Sequence, residues 1–339
     1  MPAEGSGPYG VPVELTWRPV TTDDVPAWAE LVAAAEAVDR TGEHESVDDL
    51  AEQIADESLD LAGDSWAALD GDRLVAVGLV HGASQAVWSV DTIYCLGCVH
   101  PDYRRRGIGN RLLARQLQRA EAMHGERHPR FPARLTVPAY DHVPSMAALA
   151  GSAGLKPVRH FFDMERDLRA DAPAPRQPAA PLRVVPFTAD RDDEVRRAHN
   201  TAFRDHFGSM ERDPATWKQW FTGSRSFRPE LSLLVLDGQA EDAAVAGYLP
   251  GYFYDSDAAA DGYRTAWIGQ LGTLPPWRGR GVASALLSQA LIAYGAAGYE
   301  RAALDVDSAN GTGALGLYER IGFHTVRSST RWVREVPAE

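Results

Sequence analysis

The chain reads Pro101-Asp-Tyr-Arg-Arg-Arg-Gly-Ile-Gly109 and, about half its length later, Pro275-Pro-Trp-Arg-Gly-Arg-Gly-Val-Ala283. Each stretch follows a short apolar run and opens a region with the apolar spacing of a helix. The small residues allow a tight strand-to-helix turn, and a helix start offers unpaired backbone N–H groups to an anion. The same turn occurring twice indicates a duplicated domain built to hold a phosphate-bearing ligand.

Composition narrows the function classes. The 339 residues carry a formal net charge of −13, which argues against a nucleic acid or an anionic membrane as partner. The charge suits a small amine-bearing molecule, although an ordinary acidic surface explains the same number and is the better explanation. No apolar run is long enough to span a bilayer and the N-terminus lacks a signal-peptide pattern, so we expect a cytoplasmic protein, monomeric or homodimeric.

The only cysteines, Cys95 and Cys98, form a Cys-x-x-Cys pattern. Such a pair suggests redox or zinc chemistry, but this pair lies in a strand-like run, and zinc requires four ligands. An odd separation on a strand puts the two side chains on opposite faces. We therefore expect structural cysteines and no metal site.

The chain divides into two parallel halves. Residues 169–181 are rich in Pro and Ala and have no apolar periodicity, which predicts a semi-rigid linker between domains at 14–168 and 182–336. Each half begins with a short strand and a helix, continues with apolar runs joined by an Asp-Gly turn, and then enters the repeated stretch. Strands and helices follow in alternation, which predicts an α/β fold with a mixed sheet.

A known family matches these motifs. Both turns have the pattern Arg-x-x-Gly-x-Gly/Ala, at 104–109 and 278–283, and the second half continues with Leu304-Asp-Val-Asp-Ser-Ala-Asn310 and Ala314-Leu-Gly-Leu-Tyr318-Glu-Arg-Ile-Gly322-Phe323. The chain resembles the GNAT N-acetyltransferase superfamily, and its layout resembles actinobacterial two-domain members of the mycothiol synthase type. The resemblance implies two tandem GNAT domains, each a mixed, mostly antiparallel sheet with a splayed pair of parallel strands, flanked by helices.

The resemblance also implies an acetyl-CoA site, with pantetheine bonded to strand backbone and pyrophosphate bound over the turn. Carried onto the second half, it names Leu271, Gly272, Thr273, Arg278, Gly279, Arg280, Gly281, Val282, Ala283 and Asn310. Carried onto the first half, it names Gly97, Cys98, Val99, Arg104, Arg105, Arg106, Gly107, Ile108 and Gly109. A helix N-cap is an equally suitable role for Asn310.

The two halves differ at the position of the proton donor. Acetyl transfer to an amine requires a group that protonates the departing thiolate, and Tyr318 matches the tyrosine that the family uses there. Aligning Gly154 with Gly322 places Ala150 opposite Tyr318, and alanine cannot donate a proton. We therefore expect a degenerate first domain and catalysis in the second.

The general base and the acceptor site are less sharply defined. Trp267 stands where many relatives have Glu, so the candidate bases are Asp305 and Asp307, which share one strand face because they are two residues apart. A solvated strand end is the alternative for this pair. Asp205 and His206 lie where the family's acceptor site is walled, although the end of a helix is also consistent with their pattern.

These residues predict an acetyl-CoA-dependent N-acetyltransferase that acts on a small amine-bearing acceptor, by direct transfer in the second half. The first alternative is the mycothiol synthase reaction, in which a cysteinyl pseudodisaccharide is acetylated; Trp267 counts against it. The second alternative is a non-catalytic acyl-CoA-binding or sensor protein.

Overall fold

The computed structural model describes residues 14–82, 89–169, 171–204, 206–240, 242–310 and 313–339. The strands of the first half are Thr16–Arg18 (β1), Ser65–Asp70 (β2), Arg73–Gly82 (β3), Asp91–Val99 (β4), Ala133–Tyr140 (β5) and Lys156–Asp167 (β6). Those of the second half are Leu182–Pro186 (β7), Phe227–Asp237 (β8), Ala244–Tyr252 (β9), Thr265–Ile268 (β10), Gly272–Thr273 (β11), Arg301–Asp307 (β12) and His324–Val336 (β13).

The helices alternate with these strands as the periodicity predicts. In the first half they are Val25–Asp39 (α1), Val47–Ile54 (α2), Leu61–Asp64 (α3), Ile108–Arg127 (α4) and Pro144–Ser152 (α5). In the second half they are Asp192–Ala202 (α6), Pro214–Trp217 (α7), Asp255–Asp261 (α8), Val282–Ala296 (α9) and Ala314–Arg320 (α10). A π-helical turn, Lys218–Thr222, extends α7. Both α4 and α9 begin directly after a repeated glycine-rich turn.

The strands join one mixed sheet in the described part of the chain. Its order is β1-β2-β3-β4-β5-β13-β6-β12-β10-β9-β8-β7, with β11 beside β9. The last strand of each half is exchanged: β13 pairs with β5, and β6 pairs with β12. At the centre, β6 and β13 pair antiparallel with each other. The two repeats in the sequence therefore share backbone hydrogen bonds.

Each half contains one pair of parallel strands that separate part of the way along. β4 and β5 pair from Asp91 to Tyr94, and β10 and β12 pair from Thr265 to Trp267. Beyond those points the two strands of each parallel pair form no further backbone pairing within the described residues. The remaining strand pairs of the sheet are antiparallel. The mixed sheet with helices on it confirms the predicted fold class.

In the second half the strand that precedes the glycine-rich turn is not continuous. Residues 269–271 interrupt it, because Ile268 lies opposite Gly251 whereas Gly272 lies opposite Tyr248. Four steps on one strand therefore match three on β9, which is a β-bulge. In the first half β4 continues without interruption to Val99.

The segment between the halves lies against α9 and the turn before it. The backbone N–H of Ala179 donates to the carbonyl of Arg280 at 2.9 Å, and that of Arg176 donates to Oγ of Ser288 at 3.0 Å. No regular secondary structure is assigned to described residues 171–181. The segment is thus irregular, yet it is bonded to the second half.

The two thiols lie on opposite sides of the sheet, as the odd spacing predicts. Cys95 packs with Leu113 and Leu117 of α4, and Cys98 packs with the core beneath α1. Both are free, and burial raises the pKa of each thiol to about 12. Among the described helices, none is long and apolar enough to cross a membrane.

Because of the strand exchange, we expect a destabilising substitution in β13 to destabilise both halves. Val333 is 3% exposed and lies between Thr136 of β5 and Lys156 of β6. Val333→Ala should cost about 2 kcal/mol of the free energy of unfolding through lost packing. Hydrogen exchange in β3 and in β8 should accelerate together.

The matched control is Val326→Ala on the same strand, where the side chain is 38% exposed, and it should have little effect. Acceleration confined to β8, with β3 unchanged, would show that the halves unfold independently.

Candidate active site

The two glycine-rich turns have nearly the same backbone geometry. Gly107 precedes α4 with φ of 80°, and Gly281 precedes α9 with φ of 78°. Two residues earlier, Arg105 and Gly279 are also left-handed, with φ of 64° and 74°. Because both capping residues are glycines, neither helix start has a capping side chain that could bond its backbone N–H groups. Both turns therefore present backbone donors to an anion.

The turns differ in the charge of their first arginine. The guanidinium of Arg104 donates to both carboxylate oxygens of Asp39, each at 2.6 Å, and its Nε donates to the carbonyl of Val99 at 3.0 Å. Arg278 makes the equivalent bond to the carbonyl of Thr273, at 3.3 Å, but has no ion pair with any residue the structure describes. The charge of this first arginine is thus paired with a carboxylate at the first turn and unpaired at the second.

Buried polar atoms without partners surround the bulge of the second half. They are the hydroxyl of Tyr252, Oε1 of Gln270 and Oγ1 of Thr273, each lacking a hydrogen bond to the described residues. The side chains at 94–99 of β4, which face the corresponding gap in the first half, include no such atom. Unsatisfied buried polar groups are uncommon in folded proteins, so their concentration here indicates where a ligand would supply the missing partners.

Gly272 of β11 has a steric reason to be glycine. A Cβ atom there would overlap the ring of Tyr248, which is fully buried. The Tyr248 hydroxyl lies 2.8 Å from Nδ1 of His199, and this contact holds the ring in place. The backbone next to the bulge is therefore positioned by buried side chains.

Tyr318 lies on α10 and is 7% exposed. Burial, and next the negative charge of Asp305, raise the pKa of its hydroxyl, which bonds none of the residues described. The backbone N–H of Phe323 donates to the carbonyl of Tyr318 at 3.0 Å. In the first half the N–H of Leu155 donates to the carbonyl of Ala150 at 3.1 Å, so Ala150 occupies the corresponding position without a hydroxyl.

The two candidate bases have different surroundings. Asp307 is 2% exposed, one oxygen lies 3.0 Å from Nε of Arg159, and the other accepts the N–H of Ala309 at 2.9 Å. The side chain of Asp305 is exposed, with Asp163, His206 and Arg331 among the charged groups around it. Poor solvation there raises the pKa of Asp305, and the positive charge of Arg331 opposes that shift. Only Asp305 has a carboxylate that a substrate can reach.

The other predicted residues lie around this point. Trp267, on β10, is half-buried with its ring 6.3 Å from that of Tyr254. His206 follows α6, which ends at Ala202, and its charge lowers the pKa of Asp305, so the two are neighbours. Asp205 lies outside the described residues.

Asn310 lies between β12 and α10. Its N–H donates to the carbonyl of Asp307 at 3.0 Å. The N-cap of α10 is Gly313, three residues further on, so Asn310 is not the cap. Its proposed contact with pantetheine stays a prediction.

The sequence offered no signal for a group of residues that the first half contributes. Asp163 of β6 lies opposite Asp305 in the register, and Nε of Arg327 is 3.2 Å from its carboxylate. Glu43, between α1 and α2, accepts a hydrogen bond of 2.6 Å from the hydroxyl of Tyr140. Asp163 comes to lie beside Asp305 because the strands are exchanged, which no local pattern reveals.

Splayed parallel strands, a glycine-rich anion turn and a buried tyrosine beside them are the features of an acyl-CoA-dependent transferase. The family model for the "Acetyltransferase (GNAT) family" matches residues 28–129 and 193–323. The chain belongs to this family and is an acyltransferase; members of the family generally use acetyl-CoA. The predicted family is confirmed.

Curated relatives match most of the length of this chain. A mycothiol acetyltransferase of Frankia alni is 31% identical over 347 residues, covering 96% of this chain and 97% of the relative. A mycothiol acetyltransferase of Thermobispora bispora is 32% identical over 247 residues, covering 70% of this chain and 72% of the relative.

Solved structures show the same tandem architecture. A GCN5-related N-acetyltransferase from Sphaerobacter thermophilus has a TM-score of 0.72 and 26% identity, covering 96% of this chain and 97% of that one. A tandem GNAT protein from the clavulanic acid biosynthesis pathway has a TM-score of 0.68 and 19% identity, covering 96% and 100%. The latter likeness concerns the fold alone.

The acidic surroundings of Glu45 predict a pH-dependent stability. Poor solvation by the surrounding protein, then the charges of Glu43, Asp49 and Asp257, raise the pKa of Glu45 to about 7 although the side chain is exposed. The folded protein therefore holds this proton where an unfolded glutamate, with a pKa of about 4.3, has lost it. Stability should fall as the pH rises between these values, since the folded state binds more protons there.

Glu45→Gln removes this ionisation. The melting temperature of the variant should exceed that of the wild type at pH 8, and the difference should shrink towards pH 5. Because the side chain is solvent-accessible, we expect a gain below about 1 kcal/mol. Glu30→Gln, on an exposed position of α1, is the control. A difference that is constant with pH would contradict the raised pKa.

Proposed function

We propose that this chain transfers an acetyl group from acetyl-CoA to the amine of a small acceptor, in the second half and by direct transfer in a ternary complex. The observation that carries the proposal is the asymmetry between the halves. Among the described residues, three features occur together in the second half alone. They are an anion turn whose first arginine has no ion pair, buried polar atoms without hydrogen-bond partners at the strand gap, and a tyrosine at the thiolate position.

The residues present fit acetyl-CoA. The backbone N–H groups at 279–283, together with Arg278, offer donors and positive charge to a pyrophosphate. The backbone at 271–273, next to the interruption, would bond the pantetheine arm, and Thr273 and Tyr252 add hydroxyls that lack partners among the described residues. When bound, acetyl-CoA supplies an activated thioester, while the protein supplies position and proton transfer.

Tyr318 is the group that we assign to protonation of the departing thiolate. Its raised pKa keeps the hydroxyl protonated at neutral pH, and the hydroxyl has no competing bond to a described residue. A phenol that is positioned in this way can deliver its proton to sulfur as the bond to the acetyl group breaks.

Asp305 is the group that we assign to the acceptor amine. Its carboxylate faces the cleft, whereas Asp307 is held by Arg159, so Asp305 accepts the ammonium proton directly or through a water. Trp267 contributes an apolar wall at the place where many relatives have a carboxylate.

The first half, 14–168, has a different role in this proposal. Its turn keeps the geometry of an anion site, but Arg104 is neutralised by Asp39 and Ala150 has no hydroxyl. It therefore serves as a structural or non-catalytic binding domain, joined by 169–181 to the catalytic domain at 182–336.

The second candidate specifies the acceptor as the cysteinyl pseudodisaccharide of mycothiol synthesis. The names of the full-length relatives favour it. A screen of this compound against other amines, aminoglycosides and peptide N-termini, with acetylated product measured by mass spectrometry, distinguishes the candidates.

Tyr318→Phe tests the proton donor. Turnover should fall by about 10²–10³-fold, because the general acid is lost, while the affinity for acetyl-CoA changes little. Rates and dissociation constants are measured across pH on the same preparation. Equal turnover of the two proteins at every pH would mean that solvent or another group protonates the thiolate.

A matched pair of variants tests which half is catalytic. Gly107→Val and Gly281→Val each place a β-branched side chain at a left-handed position, with a similar strain of about 1–3 kcal/mol. Activity should survive the first change and be lost with the second. Circular dichroism verifies that both variants are folded. Loss of activity in Gly107→Val alone, with acetyl-CoA still bound in the second half, contradicts the asymmetric assignment.

A further inference from the structure

We propose that the first half completes the acceptor pocket of the second, and that Asp163 is a specificity-determining residue that binds the ammonium group of the acceptor beside Asp305. The inference rests on the proposed function, since it describes the acceptor side of the same site. It assigns a substrate-binding role to the half that lacks the catalytic tyrosine.

The strand exchange puts the two carboxylates together. Asp163 of β6 and Asp305 of β12 are direct partners in the antiparallel register. Directly opposed residues project from the same face, with Cβ atoms about 4.5–5.5 Å apart. Two carboxylates from different halves therefore face one space, and a single domain would not contain both.

The positive charges around this pair do not neutralise it fully. Arg327 forms an ion pair with Asp163. The charge of Arg331 lowers the pKa of both carboxyl groups, but its guanidinium bonds neither of them in the described structure: it lies 4.4 Å from the ring centre of Phe161 and donates to Oγ of Ser329 at 2.9 Å. Poor solvation by the surrounding protein raises the pKa of both carboxyl groups, so a cation bound between them would offset an existing electrostatic cost.

The corresponding point of the first half has the opposite character. Tyr94 and Thr136 are the last parallel partners there, as Trp267 and Ala303 are in the second half. Two residues beyond Thr136 stands Pro138, and Arg331 is its partner on β13. A carboxylate pair in one half thus corresponds to proline and arginine in the other, which suits an amine in the second site alone.

A further contact between the halves is acidic. The backbone N–H of His44, between α1 and α2, donates to the carboxylate of Asp257 in α8 at 3.3 Å. The charge of Asp163 raises the pKa of Glu43, and the charges of Glu43 and Asp257 raise that of Glu45. The region between Asp163 and this contact is therefore acidic as well.

An independent sign of a ligand is the hydroxyl of Tyr318. Its side chain is more than nine-tenths buried, Asp305 is the charged group that acts on it, and it bonds none of the described residues. Without this unpartnered hydroxyl, the two carboxylates alone would not indicate that a ligand binds here. The acceptor that fits is a primary amine without a neighbouring carboxylate, because a second negative charge would be repelled.

The experiment measures binding, so it does not depend on the identity of the acceptor. S-(2-aminoethyl)-CoA carries an ammonium close to where the attacking nitrogen would lie, and S-propyl-CoA is its neutral isostere. Calorimetry should show that the wild type prefers the ammonium compound about tenfold, a typical strength for a partly desolvated ion pair. Asp163→Asn should reduce this ratio at least threefold and leave the affinity for S-propyl-CoA unchanged.

Two further variants complete the test. Asp167→Asn alters a more exposed aspartate of the same strand, paired with Arg169, and should retain the wild-type ratio. Asp163→Glu should recover part of the preference, which a merely structural role would not predict. No preference in the wild type, or an unchanged ratio in a folded Asp163→Asn, overturns the inference. Failure of every CoA compound to bind would instead refute the proposed function.

Discussion

The antiparallel pairing of β6 with β13 is the constraint on which the rest of the molecule depends. These strands end the two halves of the sequence, and each also pairs with a strand of the opposite half. Their register decides which side chains meet across the centre, because a shift by one residue would move every side chain to the other face. The meeting of Asp163 with Asp305 is a direct consequence.

The two halves have the same turn geometry but form two different sites. The turns at Gly107 and Gly281 agree closely in conformation, and both precede a helix. What separates them is local side-chain chemistry: the Asp39 partner of Arg104, and a bulge with unpartnered polar atoms that occurs in the second half and not among the described strands of the first. Fold alone therefore does not assign activity; the side chains do.

Local patterns were sufficient for much of this structure. The glycine-rich turns, the helices that follow them, the opposite placement of Cys95 and Cys98 and the mixed sheet all depend on short-range spacing. The strand exchange depends on pairings between residues far apart in sequence, and the bulge at 269–271 depends on the partner strand. From their spacing, Asp305 and Asp307 were equivalent candidates for the general base. Arg159 of β6, however, donates a hydrogen bond to the carboxylate of Asp307.

The central claim is that the second half holds the acetyl-CoA site. Hydrogen exchange with and without acetyl-CoA tests it most directly, because both turns have backbone amides that a pyrophosphate would protect. We expect protection at Gly272–Thr273 and at 279–283, clearly stronger than at 105–109. Protection at 105–109 with none at 279–283 would contradict the account.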